Sequence, residues 1–243
     1  MSSVSPSLSP SVSPGAIPAA VLFDMDGTLV DSEHLWLAAE IEVMADLGTA
    51  WTSADQEHCL GGPLERVSDY MVERSATSLS SPEVGQRLLA AIENRMRSEP
   101  LAWRPGALDL LRECRSLRVP TALVTASWGV LVEALAERMR DEVGEAPFDA
   151  VVAGDDITNS KPHPEPYETA ARLLDVTPAQ ALAIEDSPTG VRSAVAAGCV
   201  VVAVPHIATI DASSGAHLVT DSLRGRSLLE LWHLASSDGT VHD

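Results

Sequence analysis

Five short apolar runs separated by helical patterns predict an α/β protein: a parallel sheet covered by helices, opened after its first strand by an insertion made only of helices. Two observations carry this reading. The runs are apolar throughout and end abruptly in polar or turn residues, as strands buried on both faces do. After Arg104-Pro105-Gly106 the runs alternate with helix-length segments, whereas between Ser32 and Pro100 no run reads as a strand.

The elements follow in order. Residues 1–15 (MSSVSPSLSPSVSPG) are rich in Ser and Pro and offer too little apolar surface to offset ordering entropy, so a disordered tail is expected. They lack the basic and apolar regions of a secretory signal. Order is expected from about Ile17. The run Ala19-Ala20-Val21-Leu22-Phe23 reads as the first strand and stops at Asp24-Met25-Asp26-Gly27-Thr28. A helix follows, with Leu37, Ile41 and Met44 as its apolar face and Gly48 as its stop. Ser53 and Gln56 have the spacing of a capping box. Pro63 stands where a first helical residue would, and Ser81-Pro82-Glu83 opens a helix to about Met96. Four later strands are expected at 119–127 (VPTALVTAS), 148–154 (FDAVVAG), 181–187 (ALAIEDS) and 200–204 (VVVAV), with helices at 130–140, 164–174 and 190–197. The chain thus divides into a core of 16–31 plus 104–243 and a helical insert of 32–103.

Composition narrows the function. Of 243 residues, 35 are Asp or Glu and 16 are Lys or Arg, a formal charge of −19. A surface that tracks nucleic-acid phosphates needs the opposite sign, so no nucleic-acid partner is expected. An anionic substrate would meet a repulsive field and need local positive charge at its site. No apolar run reaches the length of a membrane span, so no membrane partner is expected. Cys59, Cys114 and Cys199 form no C-x-x-C pair and no metal-ligand spacing, which suits a reducing, cytoplasmic setting. A monomer or weak homodimer is expected.

Ligands of open parallel sheets bind beyond the carboxyl ends of the strands. Four predicted strands end there in polar residues: Asp24 and Asp26; Thr125-Ala126-Ser127; Asp155-Asp156, before Ser160-Lys161-Pro162; and Glu185-Asp186-Ser187. Carboxylates packed together repel unless a hard cation joins them. Mg²⁺ favours oxygen ligands, uses one or two carboxylates and keeps positions open for water and phosphate.

These residues resemble the haloacid dehalogenase-like hydrolases. DMDGTLVDS is similar to their first motif, D-x-D-G-T-x-x-D; Thr125 to the second; Lys161 in SKPHPEPY to the third; and Glu185-Asp186 in EDSPTGVRSAVAAG to the fourth, all in the family's order. The resemblance covers everything but the tail, and implies a Rossmann-like α/β core with a helical cap of the β-phosphoglucomutase-like branch. FDMDGTLVDSEHLWLAAEIEVMADLG most resembles bacterial sugar-phosphate phosphatases acting on 2-deoxyglucose 6-phosphate and hexitol phosphates.

The resemblance also implies roles. Asp24 would attack phosphorus and form an aspartyl-phosphate, and Asp26 would act as general acid and base. Thr125, with Ser127 as a second hydroxyl, would bind the phosphoryl group; Lys161 would hold nucleophile and phosphoryl group by charge. Mg²⁺ would be held by Asp24, Asp186 and the main-chain carbonyl of Asp26, with Glu185 in or just outside its shell. The substrate expected is a small phosphorylated metabolite, a sugar or polyol phosphate.

The nearest rival is a β-phosphoglucomutase-type mutase, which resembles this chain but uses a cap lysine and arginine near a glycine. Here CLGGPLERV supplies Gly61, Gly62 and Arg66 without a lysine, and Lys161 is the only lysine in the sequence. Asp26 argues against metal-free dehalogenation, and the missing cap lysine against Schiff-base phosphonate hydrolysis. His163, Trp36, Trp51 and Trp103 read as structural.

Overall fold

A computed structural model describes residues 17–59, 63–144, 147–237 and 241–242. The tail predicted over 1–15, and Gly61 and Gly62, lie outside the described residues. In chain order the elements are β1 (Ala20–Phe23), β2 (Val30–Asp31), α1 (Glu33–Asp46), α2 (Ser53–Cys59), α3 (Leu64–Ser75), α4 (Ser81–Ser98), β3 (Ala102–Trp103), α5 (Ala107–Leu117), β4 (Thr121–Val124), α6 (Gly129–Val143), β5 (Ala150–Val152), α7 (Glu165–Leu173), β6 (Ala181–Glu185), α8 (Pro188–Ala197), β7 (Val200–Ala203), β8 (Leu218–Val219), α9 (Leu228–Ser236) and β9 (Val241–His242).

Seven strands form one parallel sheet in the order β5-β4-β1-β6-β7-β8-β9. β1 lies between β4 and β6, and all four of its residues are buried. Its alternate side chains enter two cores, as the period of a strand requires. Ala20 and Leu22 join Tyr167, Ala170, Val191 and Ala194 of α7 and α8. Val21 and Phe23 share a cluster with Leu110, Leu131, Leu135 and Leu231 of α5, α6 and α9. Register then fixes the site: Phe23 pairs with Leu123 and with Ile184, so the residues that follow each strand emerge side by side.

β2 and β3 form a small antiparallel ribbon where the chain leaves β1 for the helical insert and returns from it. Between them the described residues are helical or irregular. α4 is held by Val84, Leu88, Ile92 and Met96, an i, i+4 stripe that is fully buried. Truncating one such side chain, as in Leu88→Ala, costs about 2–5 kcal/mol. Its first turn carries a capping box between Ser80 and Glu83.

Three details differ from the sequence reading. α1 buries Leu35, Ala39, Val43 and Met44, while Ile41 is 46% exposed. The large side chains chosen from the sequence lie partly outside the stripe that faces the neighbouring helices; the small Ala39 lies in it. The capping box of α2 belongs to Thr52 and Asp55, one residue earlier than Ser53 and Gln56: the Asp55 carboxylate accepts from the Thr52 N–H (2.8 Å), and the Thr52 hydroxyl accepts from the Asp55 N–H (3.3 Å). The ribbon strands, β8, β9, α5 and α9 were not anticipated; the added strands have two residues each, too short for any periodicity to register. Among the described residues no helix is long and apolar enough to cross a membrane.

Candidate active site

The site lies at the carboxyl ends of β1, β4 and β6. Lys161, on the loop before α7, is buried, and its ammonium donates three hydrogen bonds: to Asp24 Oδ1 (2.7 Å), Glu185 Oε1 (2.6 Å) and the Val124 carbonyl (2.9 Å). An ammonium has three protons, so this set satisfies it. Burial alone would lower its pKa, but Asp24 and Glu185 outweigh that and hold it above the usual lysine range. The loop is tied down twice. The Glu165 carboxylate accepts from the Thr158 and Asn159 backbone N–H groups, and the Ser193 hydroxyl donates to the His163 carbonyl. His163 itself is exposed and receives the Glu165 N–H, a local structural contact.

Glu185 is completely buried and surrounded by donors. Oε1 accepts from Lys161 and from the Tyr167 hydroxyl (2.8 Å); Oε2 accepts from the Asp186 N–H (3.1 Å), the Ser187 N–H (3.3 Å) and the Ser187 hydroxyl (3.1 Å). Ser187, and neither acid, caps α8 by accepting from the Gly190 N–H.

Asp24 and Asp186 are in the opposite condition. Asp24 Oδ2 receives no protein donor among the described residues, and Asp186 has only a marginal contact from the Thr28 hydroxyl at 3.5 Å. Burial pushes the Asp24 carboxyl up to about 7; Lys161 pulls it down, and Glu185 and Asp26 push it further up. Burial, then Asp24 and Glu185, push Asp186 up to about 9. Carboxyl oxygens of Asp24, Glu185 and Asp186 lie within 4.8 Å of one another, a hard donor set that suits a divalent cation. Gly27 makes room for the Asp186 carboxylate: the chain turns there with φ +84°, and a Cβ would stand 2.1 Å from Asp186 Oδ2.

Asp26 is held by other partners, close enough to raise both Asp24 and Asp186 by its charge. Its two carboxylate oxygens accept from the hydroxyls of Ser32 and Ser127, the latter at 2.6 Å. Ser127 therefore touches Asp26, while Thr125, buried at the end of β4, accepts the Ser127 N–H at 2.9 Å. Glu33, in the first turn of α1, is raised to about 7 by burial and by the nearby Asp26 and Asp31. Arg66 is not brought into this group; it is exposed on α3, where its guanidinium donates a long hydrogen bond of 3.4 Å to the Cys59 carbonyl. Trp36, Trp51 and Trp103 pack against the hydrophobic core. Tyr167 and Ser32 were missed in the sequence. Ser32 was visible as the last letter of DMDGTLVDS, but Tyr167 reads there as one more apolar helix position.

Comparison with known proteins bears on this geometry. The family model described as haloacid dehalogenase-like hydrolase matches residues 21–204. The chain belongs to the haloacid dehalogenase-like hydrolases. Among its relatives in this family, protein CbbY of Cereibacter sphaeroides is 33% identical over 190 residues, covering 75% of this chain and 83% of that protein. Hexitol phosphatase B of Escherichia coli (strain K12) is 32% identical over 217 residues, covering 87% and 93%. A solved structure of a CbbY variant from Rhodobacter sphaeroides in complex with xylulose-(1,5)bisphosphate matches with a TM-score of 0.79 at 30% identity, over 88% of this chain and 99% of that one.

Proposed function

We propose that this hydrolase is a Mg²⁺-dependent phosphatase that releases inorganic phosphate from a small sugar or polyol phosphate through a phosphorylated Asp24, and that it works in the cytoplasm. The observation that carries the reading is the pairing of a lysine-anchored carboxylate, Asp24, with an under-satisfied one, Asp186, at the carboxyl ends of the central strands. Buried acids without donors are costly, and such sites are where chemistry is done. The substrate class rests on the hexitol phosphatase and CbbY relatives. Three buried cysteines without a disulfide support the reducing compartment.

The chain's own groups act in sequence. Lys161 holds Asp24 Oδ1, leaving the other oxygen of Asp24 to attack phosphorus as the bond to the leaving alkoxide breaks. Asp26, held between Ser32 and Ser127, gives that alkoxide its proton. It then takes a proton from water, which attacks the aspartyl-phosphate, breaks the bond from phosphorus to Asp24 and frees phosphate. Thr125 binds a phosphoryl oxygen. Asp24, Asp186 and the Asp26 carbonyl would hold Mg²⁺, which when bound supplies positive charge to the phosphoryl oxygens that the acidic chain otherwise lacks. Glu185 lies just outside that shell in this reading, because five donors already occupy its oxygens. Helices α1–α4 serve as the cap, with Arg66 free to turn towards the outer end of a substrate.

A mutase reading is weaker. Lys161 is the only lysine and is already saturated, so the insert has no lysine to grip a second phosphate through a reorientation. The test is a panel of hexose, hexitol and pentulose mono- and bisphosphates assayed with Mg²⁺. Phosphate release that requires Mg²⁺ and favours polyol or sugar monophosphates is expected. Isomerisation of β-glucose 1-phosphate outpacing phosphate release would promote the mutase instead.

A further inference from the structure

We infer that Tyr167 is a positioning residue for this reaction: its hydroxyl fixes Glu185, and Glu185 fixes the Lys161 ammonium against the nucleophile. The inference rests on the phosphatase reading above and adds a residue to it.

Lys161 reaches its place on a flexible side chain, and three acceptors must stand still to hold it. Val124 is a main-chain group of the central sheet and Asp24 ends β1, so both are rigid. Glu185 is the one acceptor that reaches Lys161 on a long, rotatable side chain of its own. Its position is therefore set by what else grips it. Oε2 is gripped by the chain that leads into α8, through the Asp186 and Ser187 N–H groups and the Ser187 hydroxyl. Oε1, the oxygen that meets Lys161, has one other partner among the described residues, the Tyr167 hydroxyl at 2.8 Å.

The surroundings are shaped for this carboxylate. At Gly190 a Cβ would fall 1.7 Å from Glu185 Oε1, so the absence of a side chain there leaves the space the acid occupies. Tyr167 is fully buried in the third position of α7 and brings its hydroxyl to Glu185 from the helix that follows the Lys161 loop. Its ring also lies under Lys161, with Nζ 5.2 Å from the ring centroid. Ring and hydroxyl thus contact the two ends of one ion pair. Phenylalanine would keep the ring packing and the cation contact and remove the hydroxyl alone. Without it Oε1 has Lys161 as its remaining donor. The pair is then free to shift towards Glu185 and away from Asp24, and misplacement of a catalytic group by about 1 Å can cost up to ~100-fold in rate.

The experiment is a double-mutant cycle on the full chain with Mg²⁺ and the best substrate of the panel: wild type, Tyr167→Phe, Glu185→Gln and both together, each with kcat, KM and melting temperature. Tyr167→Phe is expected to lower kcat about tenfold, with KM within about twofold and the protein folded at the assay temperature. The double variant is expected to be no slower than Glu185→Gln, because the hydroxyl acts only through that carboxylate. Unchanged kcat in Tyr167→Phe overturns the inference, as does a double variant whose losses multiply. So does a Tyr167→Phe chain that is unfolded at the assay temperature, which would make the hydroxyl a plain stability element. A wild type without Mg²⁺-dependent phosphate release would instead overturn the phosphatase reading, and this inference with it.

Discussion

Asp55 in the helical insert and the pair Asp24 and Asp186 in the core are all acids held in the fold, and they are treated in opposite ways. In the insert, Asp55 accepts from Arg74 Nε (2.8 Å), the Tyr70 hydroxyl (2.7 Å), and the backbone and hydroxyl of Thr52 (2.8 and 2.6 Å). Arg74 first, then Thr52 and Tyr70, hold its carboxyl well below the ordinary range. In the core, Asp24 and Asp186 are pushed above that range because burial removes water and too few donors replace it. A fully satisfied buried acid such as Asp55 is a structural joint; the under-satisfied pair is where the proposed chemistry is placed. Burial alone does not separate the two; the donors do, although Glu40 of α1, which accepts from Trp51 Nε1 at 2.9 Å and is pushed up to about 7 by burial, shows that the insert also holds an acid short of donors.

The sharpest way to break this comparison is to remove charge from the core. Asp24→Asn is expected to lower kcat by more than about a thousandfold, since an amide cannot attack phosphorus, while the fold is retained. Lys161→Met should also abolish turnover and, by leaving Asp24 and Glu185 without their cation, destabilise the chain by about 3–5 kcal/mol. Steady-state kinetics with thermal melts measure both. Retention of a tenth of wild-type activity by Asp24→Asn would end the nucleophile assignment.

A second test uses pH. Asp24 and Asp186 have raised values in the folded protein, so between the ordinary carboxylate range and about 9 the folded state holds more protons than the unfolded one. Their contribution to stability is present at low pH and lost as pH rises through the folded values, with a slope of at most ~1.4 kcal/mol per pH unit for each proton. In chelator the melting temperature should therefore fall from pH 5 to pH 9 more steeply in wild type than in Asp186→Asn. Added Mg²⁺ should recover more stability at pH 9 than at pH 6, because it competes with those protons. Parallel slopes for the two proteins would contradict the raised pair.

The extent to which the sequence alone revealed this contrast is instructive. The core strands were legible because β1, β4, β6 and β7 are apolar on both faces and end in the acids, hydroxyls and turn residues that matter. Asp24, Lys161, Glu185 and Asp186 could be picked out by motif, and the parallel register brings them together. Spacing could not show how each was satisfied. Glu185 and Asp186 are neighbours of one type, yet one accepts from five donors and the other has a single marginal contact. The insert was legible as helices, but its buried faces were not, since Ala39 and Asp55 carry no apolar signal and Ile41 carries a misleading one.

Smaller effects are expected from the insert. Asp55→Asn should lower the melting temperature by several degrees, through loss of the Arg74 pair, and leave kcat within about twofold. Loss of activity without loss of stability would erase the distinction between joint and site. Arg66→Ala should raise KM by about two- to fivefold for substrates with an anionic outer end and change kcat little, as a residue that contributes only binding does. A fall in kcat with unchanged KM would give Arg66 a different role.

The central claim is that the under-satisfied Asp24 becomes phosphorylated. The most direct measurement is rapid acid quench of the Mg²⁺-loaded enzyme turning over a ³²P-labelled hexitol or hexose phosphate, followed by peptide mapping. The account predicts a transient label, sensitive to alkali, on the peptide that contains Asp24, and none in Asp24→Asn. Hydrolysis that proceeds with no labelled peptide at any time, together with inversion at phosphorus for a chiral substrate, would mean that water attacks directly and would contradict it.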